Sequence, residues 1–134
     1  MGNYTRFNFH ATLTKDAPLE LINKIVNEYW TPNVINSICS AGDQGNLNIN
    51  HEFGQTRRWN MLFHGKNGED KLITSFDIDK RKLIINSEFK NYDSEIDKFI
   101  NWISPFIQGR KKKQFVGFYK GEWQNEQINI YVER

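Results

Sequence analysis

The stretch from residue 91 to 105 constrains the fold of this chain more than any other. Its apolar residues recur three and four positions apart, as on a helix with one apolar face, and the stripe comprises Ile96, Phe99, Ile100, Ile103, Phe106 and Ile107. Asn91 or Asp93 can cap the first turn, and Pro105 should kink or end the helix. Two strand-like runs, about 114–122 and 127–133, follow it. The sequence therefore predicts a helix laid across a sheet that the last two strands complete.

Length and composition are typical of one globular domain spanning residues 1–134, with 38% apolar and 25% charged residues. The formal net charge of +2 is too small to indicate a nucleic-acid partner. A single cysteine, Cys39, excludes an internal disulfide. No apolar run approaches the roughly 18 residues that span a bilayer. We therefore expect a cytoplasmic protein without a membrane partner.

The N-terminal part reads as a strand, a helix and a long connection. Residues 4–14 alternate between apolar and polar, which predicts a strand with one buried face. Residues 17–30 have helical spacing, with Asp16 as the N-cap. From 33 to 55 the pattern weakens, with a short helical turn near Val34 and a short edge strand at 47–50 as the predicted elements.

Three strand-like runs come next, at 57–63, 71–77 and 82–89, and the turns between them suit hairpins. The predicted order is β-α-β-β-β-α-β-β. Strands joined by short turns favour an α+β fold, with a mainly antiparallel sheet of about six strands and two helices packed on one face.

No residue pattern of any specificity predicts catalysis, a metal or a cofactor. His10, His51 and His64 are not spaced as metal ligands, and we interpret them as surface or satisfied polar residues. Cys39 has no sequence sign of an activating base, and the glycines at 42–45 lack the lysine of a phosphate-binding loop. We therefore predict no catalytic residues, no metal and no cofactor.

Gly117 and Gly121 lie inside a predicted strand, which normally avoids glycine. Such glycines indicate a bulge, or the close approach of another backbone or a ligand. A helix packed over the two gaps is the simpler alternative. In this strand we expect Phe115, Gly117, Tyr119 and Gly121 to share one face with Trp123.

A mixture of arginine, tyrosine and tryptophan is the best candidate for a binding surface, because these residues dominate the binding energy of protein interfaces. With Trp59 placed in a middle strand and Trp123 in the closing hairpin, the predicted set is Arg57, Arg58, Trp59, Tyr92, Tyr119, Glu122 and Trp123.

One charge cluster stands out, formed by Arg110, Lys111, Lys112 and Lys113. Nucleic-acid binding would use these charges together with exposed aromatic rings. A solvated turn that complements the end of the preceding helix explains them more simply, and we favour that interpretation.

Several of these residues carry a resemblance. The Lys90-Asn-Tyr-Asp93 start, the Phe99-x-x-Trp-Ile-x-Pro105 helix end and the Gly117-Phe-Tyr119 strand bearing Glu122 resemble uncharacterised small proteins of low-GC bacteria and their prophages. The Arg58–Trp59 pair also fits, whereas Phe106 and Phe118 stand where tyrosine is usual. The resemblance implies a shared fold and a mobile-element setting, and implies no activity.

The leading functional hypothesis is a non-enzymatic binding protein of phage or mobile-element origin. It would act in the bacterial cytoplasm as a counter-defence inhibitor that binds a host immune protein or sequesters a small nucleotide signal. One alternative is a small nucleotide or phosphodiester hydrolase with His10 as its base. Another is a nucleic-acid accessory protein that uses residues 110–113. Homo-oligomers are compatible with all three hypotheses.

Overall fold

The computed structural model of the protein describes residues 4–39, 45–65, 74–109 and 111–133. These ranges form an α+β fold with five strands and four α-helices. The strands are β1 (Thr5–Thr12), β2 (Ser75–Asp77), β3 (Lys82–Phe89), β4 (Lys113–Gly121) and β5 (Ile128–Glu133). The helices are α1 (Leu19–Asn27), α2 (Val34–Ile38), α3 (Trp59–His64) and α4 (Glu95–Ile103), with short 3-10 helices at Glu52–Gln55 and Ser104–Phe106.

All five strands belong to one antiparallel sheet in the order β2-β3-β1-β4-β5. β1 is central, and its Phe7 lies opposite Ser87 of β3 and Tyr119 of β4. The predicted α+β class and antiparallel sheet are confirmed. The predicted numbers, about six strands and two helices, differ from the five strands and four helices of the described residues.

Aromatic residues form the centre of the core. The alternation of β1 places Phe7 and Phe9 on one face, where both are fully buried. The ring of Phe99 from α4 meets them edge-on, with centroids 6.1 and 5.3 Å apart. Phe53 and Phe63 approach Phe99 at 5.4 and 5.6 Å. Edge-to-face pairs at these distances add to the stabilisation from apolar burial, so α4 is anchored over the central strand.

The other helices pack on this same face of the sheet. In α3, the carbonyl of Leu62 accepts a 2.6 Å hydrogen bond from the buried hydroxyl of Ser87. In α1, Ile22 and Ile25 join the same buried cluster. The opposite face, which carries His10 of β1, is left uncovered by the described helices. We call it the open face.

The prediction of a strand at 57–63 is wrong, because these residues hold α3. Trp59, Leu62 and Phe63 are buried at helical spacing, three and four positions apart. So short an apolar run fits a strand or a helix equally well, and packing against the core decides between them. The predicted hairpin after it fails with the strand, and its residues 66–68 lie outside the described ranges.

Other predicted local features differ less from the structure. β2 is shorter than predicted, with residues 71–73 outside the described ranges. The predicted edge strand at 47–50 is a single bridge between Leu47 and Cys39. Asp16 does not cap α1, because its carboxylate accepts the Thr14 hydroxyl at 2.5 Å instead. In the described ranges, the helices are too short or too polar to cross a membrane.

A bulge is present at Gly117, although a helix packed over the gap was the simpler interpretation of the sequence. The β4–β5 register shifts between Phe115 and Gly117. A Cβ on Gly117 would lie 1.9 Å from the carbonyl oxygen of Asn8, so β1 approaches too closely for any side chain. Phe115 now faces Tyr131 while Gly117 faces Ile130, on opposite sides of the sheet. The prediction that Phe115 and Gly117 share a face is therefore wrong.

Candidate functional site

Arg57, Arg58 and Tyr92 form what we call the arginine–tyrosine surface. The two arginines precede α3, and Tyr92 precedes α4. The guanidinium carbon of Arg58 lies 5.5 Å from the centroid of the Tyr92 ring, a cation–π distance. Together with Asp93 they line a shallow pocket of ≈ 190 Å³. The surface thus joins residues that are more than 30 positions apart in the sequence.

Two carboxylates hold this surface from beneath. Glu95 is fully buried, and its two oxygens accept the backbone N–H groups of Arg58 at 3.1 Å and Asp93 at 3.0 Å. The Asp93 carboxylate accepts the Arg57 N–H at 3.3 Å and lies 3.6 Å from the Lys98 ammonium. A buried carboxylate is tolerated only when hydrogen-bonded, so Glu95 fixes the start of α3 against the start of α4.

The two candidate N-caps of α4, Asn91 and Asp93, accept hydrogen bonds from different segments of the chain. Asn91 accepts the N–H of Ile96 at 3.1 Å, as predicted for a capping residue. Asp93 instead serves the neighbouring segment, through Arg57. Ser94, which follows Asp93, has a left-handed φ of 53° and turns the chain into the helix.

Two further predicted residues lie at the same end of the sheet. The Lys90 ammonium is 5.7 Å from the Tyr4 ring, and the Tyr4 carbonyl accepts the N–H of Glu122 at 2.8 Å. Trp123 follows Glu122 with 76% of its surface exposed. Lys90 is two residues before Tyr92 in the chain. The contacts of Tyr4 with Lys90 and with Glu122 therefore bring Glu122 and Trp123 to the same end of the sheet as the arginine–tyrosine surface.

Trp59 and Tyr119 lie elsewhere. Trp59 is 2% exposed in the core, and its indole N–H donates to the carbonyl of Gly45. Tyr119 is half-buried on the helix-covered face, opposite Phe7. Burial, and to a lesser degree the Asp97 carboxylate, raises the pKa of Tyr119. Both residues are placed to support packing rather than contact a partner.

A second cluster occupies the open face, where the sequence predicted none. The Phe115 ring lies between His10 and Tyr131, with centroids 6.0 and 5.7 Å away. The ammonium of Lys113 sits 4.6 Å from the centre of the Tyr131 ring. Phe115 and Tyr131 are 43% and 44% exposed. We call Lys113, Phe115 and Tyr131 the aromatic–lysine platform.

A pocket of ≈ 520 Å³ opens beside the platform and is also lined by Gly109, Lys111 and Gln114. Gln114 pairs with the buried Val132, so its side chain lies on the helix-covered face, where its oxygen is buried without a hydrogen-bond partner among the described residues. Lys111 and Lys112 are exposed, and Arg110 lies outside the described ranges. The predicted basic cluster therefore borders two exposed aromatic rings.

Sequence reasoning missed the platform for two different reasons. Tyr131 could have been found, because it alternates with the apolar Ile130 and Val132 and so had to face away from the core. Phe115 could not, because the bulge at Gly117 reverses its side of the sheet. Acidic residues such as Glu95 are common in the first turn of a helix, and nothing local indicates that this one is buried.

The three histidines and the cysteine have separate surroundings. His10 is exposed beside Phe115, and no described carboxylate bonds to it. His51 accepts the N–H of Phe53 at 3.0 Å and so caps a 3-10 helix. Burial lowers the pKa of His64 and raises that of the Cys39 thiol. Within the described ranges, no three histidine, cysteine or acidic residues form a group that could hold a metal.

Comparisons of the chain with protein-family models, with curated proteins and with solved structures give no match. The resemblance to proteins of prophages stays a prediction. The arginine–tyrosine surface and the aromatic–lysine platform are the two arrangements from which a function can be inferred.

Proposed function

We propose that this chain is a non-enzymatic binding protein that recognises another protein through the arginine–tyrosine surface. The observation that carries the proposal is the exposed Tyr92 ring, 58% accessible, with the Arg58 guanidinium over it. Tyrosine and arginine are the residues most often found at the energetic centre of protein interfaces. Trp123 and Glu122 extend the same end of the molecule with an aromatic and a polar group.

Rigidity supports this role. The carboxylates of Asp93 and Glu95 accept hydrogen bonds from the backbone N–H groups of Arg57 and Arg58, and so hold this backbone before any partner arrives. Ordering loops and side chains at an interface costs free energy. A backbone already held in place avoids the loop part of that cost.

The size of the pocket favours a protein over a small nucleotide as the ligand. Sites that enclose small molecules have volumes of about 300–1,000 Å³. The pocket between Arg57, Arg58 and Tyr92 has ≈ 190 Å³ and is open, so it suits one inserted side chain. The setting we propose, a counter-defence inhibitor encoded by a phage or mobile element that binds a host immune protein, is supported by the sequence resemblance alone.

Site-specific photo-crosslinking in bacterial cells tests the proposal. Trp123→p-benzoylphenylalanine places the reactive ring at the same end of the sheet as the surface and leaves Arg58 and Tyr92 intact. We expect a cross-linked product of one defined mass that disappears when Arg58→Ala is added. The matched control is Trp30→p-benzoylphenylalanine, since Trp30 is 80% exposed and follows α1.

Affinity of the purified pair gives the quantitative result. Arg58→Ala and Tyr92→Ala should each raise Kd by about tenfold or more, as expected for residues at an interface centre. Tyr92→Phe keeps the ring under the guanidinium and should bind nearly as well as the wild type. Equal cross-linking from positions 30 and 123, or a Kd unaffected by both alanine substitutions, would refute the proposal.

A further inference from the structure

We propose that the aromatic–lysine platform on the open face is a second binding site, and that its ligand is single-stranded nucleic acid. This site is separate from the arginine–tyrosine surface and independent of the protein-binding role. Two observations support it: exposed aromatic rings and adjacent lysines.

The rings are the first observation. Phe115 and Tyr131 lie opposite each other on β4 and β5, at an interplanar angle of 63°, and both are more than two-fifths exposed. Exposed aromatic rings on a sheet are the surface on which unpaired bases stack, and every base has a face that can do so. A duplex keeps its bases stacked on one another, so the rings favour a single strand.

Charge is the second observation. Lys111, Lys112 and Lys113 are consecutive and exposed where β4 begins, next to both rings. Glu133 lies opposite Lys113 in the sheet register. The Lys113 ammonium nevertheless lies over the Tyr131 ring, and no ion pair joins it to Glu133 within the described ranges. The exposed Lys112 and Lys113 thus place positive charge at the start of β4, which suits a phosphate backbone.

The lysines also argue against a protein as the ligand of this site. Lysine is depleted at the centres of protein interfaces, where a compact hydrated ammonium is costly to desolvate. Phosphate contacts at a solvated groove do not require that desolvation, and they gain from the release of counterions. Aromatic rings interleaved with lysines are therefore a better match to nucleic acid than to protein.

The pocket beside the platform is large enough to receive a base. Its volume of ≈ 520 Å³ falls within the range of about 300–1,000 Å³ found for sites that hold small molecules.

Fluorescence anisotropy with labelled 12-nucleotide oligo(dT) and oligo(U), and with a 12-base-pair DNA duplex, tests the inference. We expect both single strands to bind at low salt and the duplex to bind more weakly. Tyr131→Ala and Phe115→Ala should each weaken single-strand binding by roughly five- to hundredfold, as the loss of one stacked base predicts. Tyr131→Phe preserves the ring and should retain the affinity.

Salt dependence isolates the lysines. Each phosphate contact on a single strand contributes about 0.7 to the slope of log affinity against log salt concentration. Lys112→Gln together with Lys113→Gln should therefore lower that slope by about 1.4. The matched charge control is Lys24→Gln, on α1 in the helix layer, which should leave the slope unchanged. Circular dichroism of each variant confirms that it is folded.

Three results would overturn the inference. One is the absence of saturable binding to either oligonucleotide at low salt. Another is equal affinity for the duplex and the single strands. The third is a folded Tyr131→Ala variant that binds as tightly as the wild type while the lysine variant loses affinity, since that pattern is non-specific charge attraction without stacking.

Discussion

At the scale of single residues, Gly117 shows most directly how one position controls the sheet. It sits in the β4 bulge, where the backbone of Asn8 leaves no room for a Cβ. Gly121 in the same strand differs, because a Cβ there would meet the flexible side chain of Gln124 at 3.1 Å. Glycine is thus required at the first position and optional at the second.

Gly117→Ala should lower the free energy of unfolding by about 1–3 kcal/mol, the usual cost of forcing extra atoms into a packed site. Urea denaturation followed by circular dichroism measures the change. Gly121→Ala is the matched control and should have little effect. Equal losses in the two variants would show that the close approach of β1 is not the cause.

Residue chemistry also explains which candidate binding residues could be predicted. Arg58 and Tyr92 were predicted from residue type alone, with Arg58 placed in a strand. Their pairing was not predictable, because it depends on Glu95, a carboxylate that local sequence places on an exposed helix turn. Burial of Glu95 follows only from the packing of α3 against α4.

At the scale of elements, His64 connects the last turn of α3 to α1. Its Nε2 atom lies 2.6 Å from the carbonyl oxygen of Ile25, and its ring contacts those of Tyr29 and Trp30 at 4.8 and 5.8 Å. Burial lowers the pKa of His64 below its ordinary value of 6.5, because the charged ring is poorly solvated there, although the hydrogen bond to Ile25 partly opposes this shift. The junction of α1 and α3 therefore favours a neutral imidazole.

Stability should consequently depend on pH through this residue. The unfolded chain binds a proton at His64 more readily than the folded chain, so the contribution is complete above pH 6.5 and is lost as pH falls towards the lower folded-state pKa. Urea denaturation at a series of pH values from about 5 to about 8, which bracket the ordinary histidine pKa of 6.5, measures this loss of stability.

A control separates His64 from the other histidines. His64→Gln should flatten the loss of stability below pH 6.5, whereas His10→Gln, on the open face, should leave it in place. The interpretation is wrong if the two variants and the wild type follow the same pH profile.

At the scale of the whole molecule, the fold is asymmetric, with the described helices on one face of a five-stranded sheet. Phe99 is fully buried between the helices and the sheet, whereas Phe115 is 43% exposed on the open face. The same residue type therefore has two roles, and the asymmetry separates core stability from the proposed nucleic-acid site.

Phe99→Ala should cost about 3–5 kcal/mol of the free energy of unfolding, because it removes the ring at the centre of the aromatic core. Phe115→Ala should cost less than half as much, since its ring has less apolar surface to lose. Chemical denaturation of both variants provides the comparison. Similar losses would mean that the open face is covered in solution.

The sequence by itself determined β1, β3, β5, α1 and α4, because periods of 2 and 3.6 residues persist in them for six residues or more and Pro105 ends the last helix. Only the tertiary structure decided that 57–63 is a helix, that Glu95 is buried beneath Arg58 and that Phe115 faces the open side. Those three depend on contacts between segments distant in the chain and on one bulge, and a local period carries no information about either.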